Sequence, residues 1–380
     1  MKNIDFDKFD LIRIKGIIKK QNLIGPRSIN IHITNACGRR CLFCWYYSPF
    51  VTKKNKIKHI SFTKLKQLLY DCKEIHTQTI YLEGGEITLY PRIKEIFYLI
   101  NSLGFKLNAY SHLAFDKKHL EYLKLADLIN VNLSAVNEHS YRMIHGKGRF
   151  GFNEVVKNLF LLSKVKKTSQ KPKIILTFII TELNYPEIEK FIRLAEKLNI
   201  DELKFELHTA TKEMQQLVLL PLSFDKLKKT VYSLLNRKFR VKNNLINLYN
   251  IITSKSFLKD CSSFNWSLKH NDRYFYYNVI GKNKTNCFLG WFYSFIDEKG
   301  RVIAPCDNIG VCIAGNIYEE SFKNIWRNSD KFKKIRTEAL AGIDVTQKKW
   351  VECKYCGYTS FNKKVSSFIK KIKPGFPIFS

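Results

Sequence analysis

From Ser28 to His208 the apolar positions switch repeatedly between two periods. Ser28-Ile29-Asn30-Ile31-His32-Ile33-Thr34 steps in twos, as a half-buried strand does. Ser61 then caps a stretch with Leu65, Leu68, Leu69, Cys72 and Ile75 on one face, the spacing of a helix. Further strands are expected at Thr79–Glu83, Lys106–His112, Leu128–Ser134, Lys173–Thr181 and Glu202–His208. Helices are expected after Pro91 (closed by Gly104), over Lys117–Leu125 and Phe152–Lys164, and after Pro186. Six successive βα units imply an α/β fold with a parallel sheet and right-handed crossovers. A partial (β/α)6 TIM-like barrel and an open sheet are both natural, and either gathers ligands at the carboxyl ends of its strands.

The pattern then changes. Residues 211–286 read as a helical connector, with one clear helix over Ser223–Arg237. From Cys287 a hairpin is expected, Trp291–Ile296 and Arg301–Ala304 joined at Asp297-Glu298-Lys299-Gly300. Ser321 caps a following helix that carries Phe322, Ile325 and Trp326. The chain divides accordingly into an N-terminal extension (1–27), the βα region (28–210), the connector (211–286), a small C-terminal domain (287–361) and a basic tail (362–380).

Composition narrows the class. With 380 residues, about two domains are expected. Apolar residues make up 45% and aromatics 14%, which excludes a disordered chain. No apolar run nears the ~18–20 residues that span a bilayer. The first twenty residues lack a signal-peptide core, so a cytoplasmic location is expected. The net charge is +32, a field that attracts anions, although the basic residues are spread along the whole length rather than gathered in one patch.

Ten cysteines are many for a reducing compartment, where disulfides rarely persist, and their spacing points to metal. Cys37, Cys41 and Cys44 lie within eight residues, in the loop after the first expected strand. Structural zinc would need a fourth ligand, and a ferredoxin-type run would carry its fourth cysteine nearby; neither follows. Three thiolates on a four-iron cluster leave one iron open, the mark of a catalytic metal site. A zinc site or a chance grouping is the competing reading. The second strand ends in Glu83-Gly84-Gly85-Glu86, where glycines permit close backbone approach and a carboxylate can accept from an ammonium.

Cys37-x-x-x-Cys41-x-x-Cys44, with Phe43 before the last cysteine, and Gly84-Gly85-Glu86 together resemble the signature of the radical SAM superfamily. The resemblance implies a [4Fe-4S] cluster whose open iron binds S-adenosylmethionine (SAM), and a 5′-deoxyadenosyl radical that takes hydrogen from substrate. It implies that Gly84, Gly85 and Glu86 bind the SAM amino group. Ser134 and Ser111 are expected as further SAM contacts, and His145, Lys147 or Arg149 as holders of its carboxylate. Ala135 and His145 depart from the family pattern, which has Asp and Arg there.

Cys287, Cys306, Cys353 and Cys356, with Gly300, Gly315 and Trp326 between them, resemble the SPASM/Twitch extension of radical SAM enzymes. No cysteine follows Cys356, so one auxiliary [4Fe-4S] cluster is expected, as in the shorter Twitch form, with zinc as the alternative. Of the remaining cysteines, Cys72 reads as core, while Cys261 and Cys312 are candidate hydrogen-atom donors. The expected activity is oxidation or epimerisation of a small polar, anionic or sugar-like substrate, with a flavodoxin or ferredoxin as reductant. Nucleic acid is not the expected partner. A peptide or protein maturase and a non-catalytic iron–sulfur protein are the alternatives.

Overall fold

The computed structural model describes residues 6–51, 56–208, 210–254, 273–274, 286–304, 312–340 and 358–375. The strands that matter below are β1 (Ser28–Thr34), β2 (Thr79–Gly84), β3 (Lys106–Ser111), β4 (Leu128–Asn132), β5 (Lys173–Ile180), β6 (Glu202–Leu207), β7 (Tyr293–Ile296), β8 (Arg301–Ile303) and β9 (Ile313–Asn316). Each of β1 to β5 is followed by a helix, whereas β6 leads through the short strand Ala210–Thr211 and a 3-10 turn to the helix Pro221–Leu235. The chain groups into two compact units, Met1–Ala36 with Lys58–Leu107 and Ile280–Ser380, and Cys37–Ile57 with Asn108–Val279.

In the first unit β1 pairs in parallel with β2, Ser28 opposite Thr79. The alternation read from the sequence is real: Ile29, Ile31 and Ile33 are fully buried, while Asn30 and His32 are not. The C-terminal hairpin forms where expected, with Val302 opposite Ile296. Its first strand lies parallel to β1, Ser28 opposite Tyr293, so the hairpin extends the β1–β2 sheet.

The first and last described helices pack on one another. Asp7 accepts from the Phe9 and Asp10 amides at 2.8 and 2.9 Å and starts the helix Lys8–Lys19. Ile14 and Ile17 on that helix bury against Phe288, Trp291, Phe292, Val365 and Ile369. The last two belong to the helix Thr359–Ile372, inside what reads from the sequence as a basic tail. Each helix has only a narrow apolar stripe among lysines, and the stripes cover one another.

A buried charge network fixes the first helix. Arg13 is 1% exposed and donates to Asp10 Oδ1 (2.9 Å), Gln78 Oε1 (2.8 Å) and the carbonyls of Gly25 (2.8 Å) and His76 (3.2 Å). Burial pushes its guanidinium down to about 10, with Asp10 opposing the shift. Burial also pushes the Asp10 carboxyl up, against the pull of Arg27 at 3.0 Å.

In the second unit β3 to β6 run parallel, with Asn108 opposite Leu128, Leu128 opposite Lys173, and Ile175 opposite Glu202. Ile174 to Phe178 of β5 are all buried, as a strand covered on both faces requires. Among the described residues no helix is long and apolar enough to cross a membrane.

Candidate functional site

The cysteine loop leaves β1 and docks on the end of the helix Glu138–His145. The Arg40 amide donates to the His145 carbonyl (3.3 Å) and the Leu42 amide to the Ile144 carbonyl (2.9 Å). These bonds satisfy carbonyls that a helix end otherwise leaves unpaired. Gly146 follows at φ 74°, and a side chain there would start 3.1 Å from the Arg40 carbonyl. Within the loop, Cys44 N–H donates to the Cys41 carbonyl (3.0 Å), Ser48 N–H to the Cys44 carbonyl (3.0 Å), and Ser48 Oγ to the Leu42 carbonyl (2.6 Å). The Tyr47 amide donates to Cys44 Sγ at 3.3 Å.

Cys37, Cys41 and Cys44 are half-buried and form no disulfide. Burial pushes Cys41 well above the ordinary thiol range; Cys44 and Cys37 add to the shift and Arg39 opposes it. Cys44 is raised too, again chiefly by burial. Neighbouring thiols in such surroundings ionise together only when a cation joins them. That donor chemistry fits an iron–sulfur cluster. Among the described residues no three His, Cys, Asp or Glu side chains converge on one ion-sized point. A four-iron cluster does not ask for that, because each thiolate bonds a different iron.

His145 lies behind Cys41. It is 1% exposed, and burial, with smaller contributions from His112 and Arg39, pushes its imidazole down to about 3. Its Nε2 accepts from the Ser134 amide at 3.0 Å, and its Nδ1 lies 3.2 Å from Cys41 Sγ. Tyr141 stacks on the ring at 4.6 Å, and Phe43 meets it edge-on at 5.6 Å. Phe43 also packs against Met214 and Leu217 beside Leu42 and Phe50. Both ring nitrogens of His145 therefore face protein atoms. The Ser134 hydroxyl is likewise engaged, accepting from the Ile179 amide (2.9 Å) and donating to Asn132 Oδ1 (3.0 Å). Ser111 Oγ accepts from the Leu113 amide at 3.1 Å, a local turn.

Two residues the motifs do not flag complete this wall. The Arg39 guanidinium lies over the Tyr141 ring at 5.1 Å and donates to the carbonyls of Gly146 (3.4 Å) and Phe150. Tyr141 is fully buried between Arg39 and His145 in this set of contacts.

The turn after β2 belongs to the first unit. Gly84 has φ 142°, and a Cβ there would lie 2.1 Å from the Thr34 carbonyl oxygen. At Gly85 it would lie 2.2 Å from the Ala36 carbonyl oxygen. The Gly85 and Glu86 amides donate to those same carbonyls, at 2.9 and 2.7 Å. Both glycines are thus demanded by the chain leaving β1, whatever else approaches them. Glu86 is 1% exposed, and its Oε1 accepts from the Thr88 amide (3.2 Å) and hydroxyl (2.9 Å), capping the turn Ile87–Leu89.

Of the second cysteine set, Cys287 packs against Leu289, Tyr293, Phe295 and Ile303. Cys306, Cys353 and Cys356 lie outside the described residues, as does Cys261. Cys312 is half-buried, its thiol raised by burial, with Lys331, Glu338 and Lys334 acting on it. Cys72 is fully buried in the helix Phe62–Glu74, and burial raises its thiol.

Comparison with known proteins gives two family matches. The model of the radical SAM superfamily matches residues 31–195. That of an iron–sulfur cluster-binding domain, SPASM, matches residues 287–357. A probable GTP 3′,8-cyclase of Saccharolobus islandicus is 28% identical over 188 residues, 47% of this chain and 56% of that protein. An S-adenosylmethionine-dependent nucleotide dehydratase of a Thermoplasmatales archaeon is 32% identical over 130 residues, 34% of this chain and 45% of that protein. The chain thus spans about half the length of these curated relatives. Among solved structures, Streptococcus suis SuiB bound to S-adenosylmethionine superposes with a TM-score of 0.61 at 14% identity, over 87% of this chain and 72% of that one. Native anSMEcpe with bound AdoMet gives 0.56 at 17%, over 89% and 88%. These structural likenesses speak for the fold.

Proposed function

Because the chain belongs to the radical SAM superfamily and carries a SPASM iron–sulfur domain, we propose that it abstracts hydrogen from a small anionic substrate, a nucleotide or sugar-like metabolite, as an oxidoreductase or isomerase. The observation that carries this reading is the loop that brings three half-buried thiols, Cys37, Cys41 and Cys44, together on the end of the helix Glu138–His145. Cys37, Cys41 and Cys44 would hold a [4Fe-4S] cluster, which when bound would supply the electron for reductive cleavage of SAM. The chain's own part is to hold and bury that chemistry. Backbone bonds from Arg40 and Leu42 fix the loop, and Phe43 with Met214 and Leu217 walls it with apolar surface. Glu86 is the carboxylate assigned to the SAM ammonium. The anionic substrate is favoured by the +32 net charge and by the nucleotide named for the cyclase and dehydratase relatives.

The test is which compound class stimulates SAM cleavage. Nucleoside phosphates and sugar phosphates are expected to raise 5′-deoxyadenosine output over the substrate-free rate, and peptides are not. Stimulation by a peptide alone would move the assignment to a maturase. Run in heavy water, the same incubation separates the outcomes. Product carbon free of solvent deuterium means oxidation, which the four-cysteine set favours. Deuterium that vanishes in Cys312→Ala or Cys261→Ala means a thiol returned the hydrogen, and the product is an epimer.

A further inference from the structure

We infer that His145 is a positioning residue that sets the reduction potential of the cluster on Cys37, Cys41 and Cys44, by donating its Nδ1–H to the Cys41 sulfur. The inference rests on those three cysteines holding a four-iron cluster. Its basis is a proton count. The Ser134 amide can only donate, and it points at Nε2 from 3.0 Å. Nε2 must therefore present its lone pair, and the ring proton sits on Nδ1. Nδ1 is 3.2 Å from Cys41 Sγ.

The arrangement has no room to turn over. The Ser134 amide is held because its hydroxyl is tied to Ile179 and Asn132, and its carbonyl accepts from Asn184 Nδ2 at 2.9 Å. Tyr141 stacks on the imidazole and Phe43 closes it edge-on. The backbone on either side of Cys41 is held by the Arg40 and Leu42 amides, which donate to the carbonyls of His145 and Ile144. Donor and acceptor thus ride on one helix end.

A hydrogen bond to a cluster-bound sulfur stabilises the reduced, more negative state more than the oxidised one, so it raises the potential. A low-potential one-electron donor then reduces the cluster more readily. The departure from the family pattern at His145 gains a reason: this side chain serves the cysteine sulfur.

The test is an anaerobic redox titration of the reconstituted full chain by electron paramagnetic resonance, following the signal that changes when SAM is added. His145→Phe removes the donor while keeping an aromatic ring. It is expected to make that cluster roughly tenfold harder to reduce, a downward shift of about 59 mV for one electron. His145→Asn, whose amide can place an N–H near the Nδ1 position, is expected to recover most of the shift. Pulsed measurements on the parent protein labelled with 15N-histidine should show one histidine nitrogen coupled to the same signal, which needs no variant. An unmoved potential in His145→Phe with full iron content, or no histidine coupling in the parent, would overturn this inference alone. A parent with no SAM-sensitive signal would remove the cluster assignment and this inference together.

Discussion

Replacing Cys37, Cys41 and Cys44 together by alanine is expected to lower the iron content of the reconstituted protein from about eight to about four per chain, one four-iron cluster lost of two. The fold should survive the change. The loop is held by main-chain bonds from Arg40, Leu42, Cys44 and Ser48 and by the Ser48 hydroxyl. The sulfurs contribute weaker backbone contacts, from the Tyr47 amide to Cys44 at 3.3 Å and from Cys41 to the His145 carbonyl at 3.9 Å. Iron and zinc assays with a circular dichroism spectrum check the result. Eight irons retained in the triple variant would mean that these cysteines are not the ligands. One zinc with four irons in the parent would mean that Cys287, Cys306, Cys353 and Cys356 bind zinc.

Arg13→Met is expected to cost about 3–5 kcal/mol of unfolding free energy, the penalty for breaking a buried ion pair from one side. Arg13 has four acceptors, on or beside the segments Asp10, Gly25 and His76–Gln78. Losing it leaves a buried Asp10 with only Arg27 of its two described ion-pair partners and loosens the helix Lys8–Lys19 from β1 and β2. Asp10→Leu combined with Arg13→Met should return much of the loss, because it removes the stranded charge. Chemical denaturation of the parent and both variants checks this; a single variant within ~1 kcal/mol of the parent would show the network to be dispensable.

The βα repeats were legible because strand and helix write different periods, and caps such as Ser61 mark their edges. The hairpin was legible from Asp297 to Gly300, but its parallel docking on β1 was not. No local pattern encodes pairing between residues so far apart in sequence. The helix Glu138–His145 went unread despite its signals: Asn137 caps it, Glu138 starts it, Arg142 and His145 end it, and Gly146 stops it. Its eight mostly polar residues give too short a period. The end helices were missed for a related reason. Ile14 with Ile17, and Val365 with Ile369, are stripes whose partners lie at the opposite end of the chain.

The candidate site divides in the same way. Residue types and spacing pointed to Cys37, Cys41 and Cys44, and to Gly84, Gly85 and Glu86. The sequence marks the glycines as room for a ligand; the fold adds a second demand on them, the carbonyls of Thr34 and Ala36. His145 was read as a possible carboxylate holder. Only the fold brings the Ser134 amide to one of its nitrogens and Cys41 to the other.

The central claim is that the Cys37–Cys44 loop holds a cluster that cleaves SAM, and one measurement addresses it most directly. Anaerobically reconstituted protein is reduced, mixed with SAM, and assayed for 5′-deoxyadenosine alongside Cys41→Ala. The parent should form it and the variant should fall to background. Equal rates from the two proteins would contradict the account.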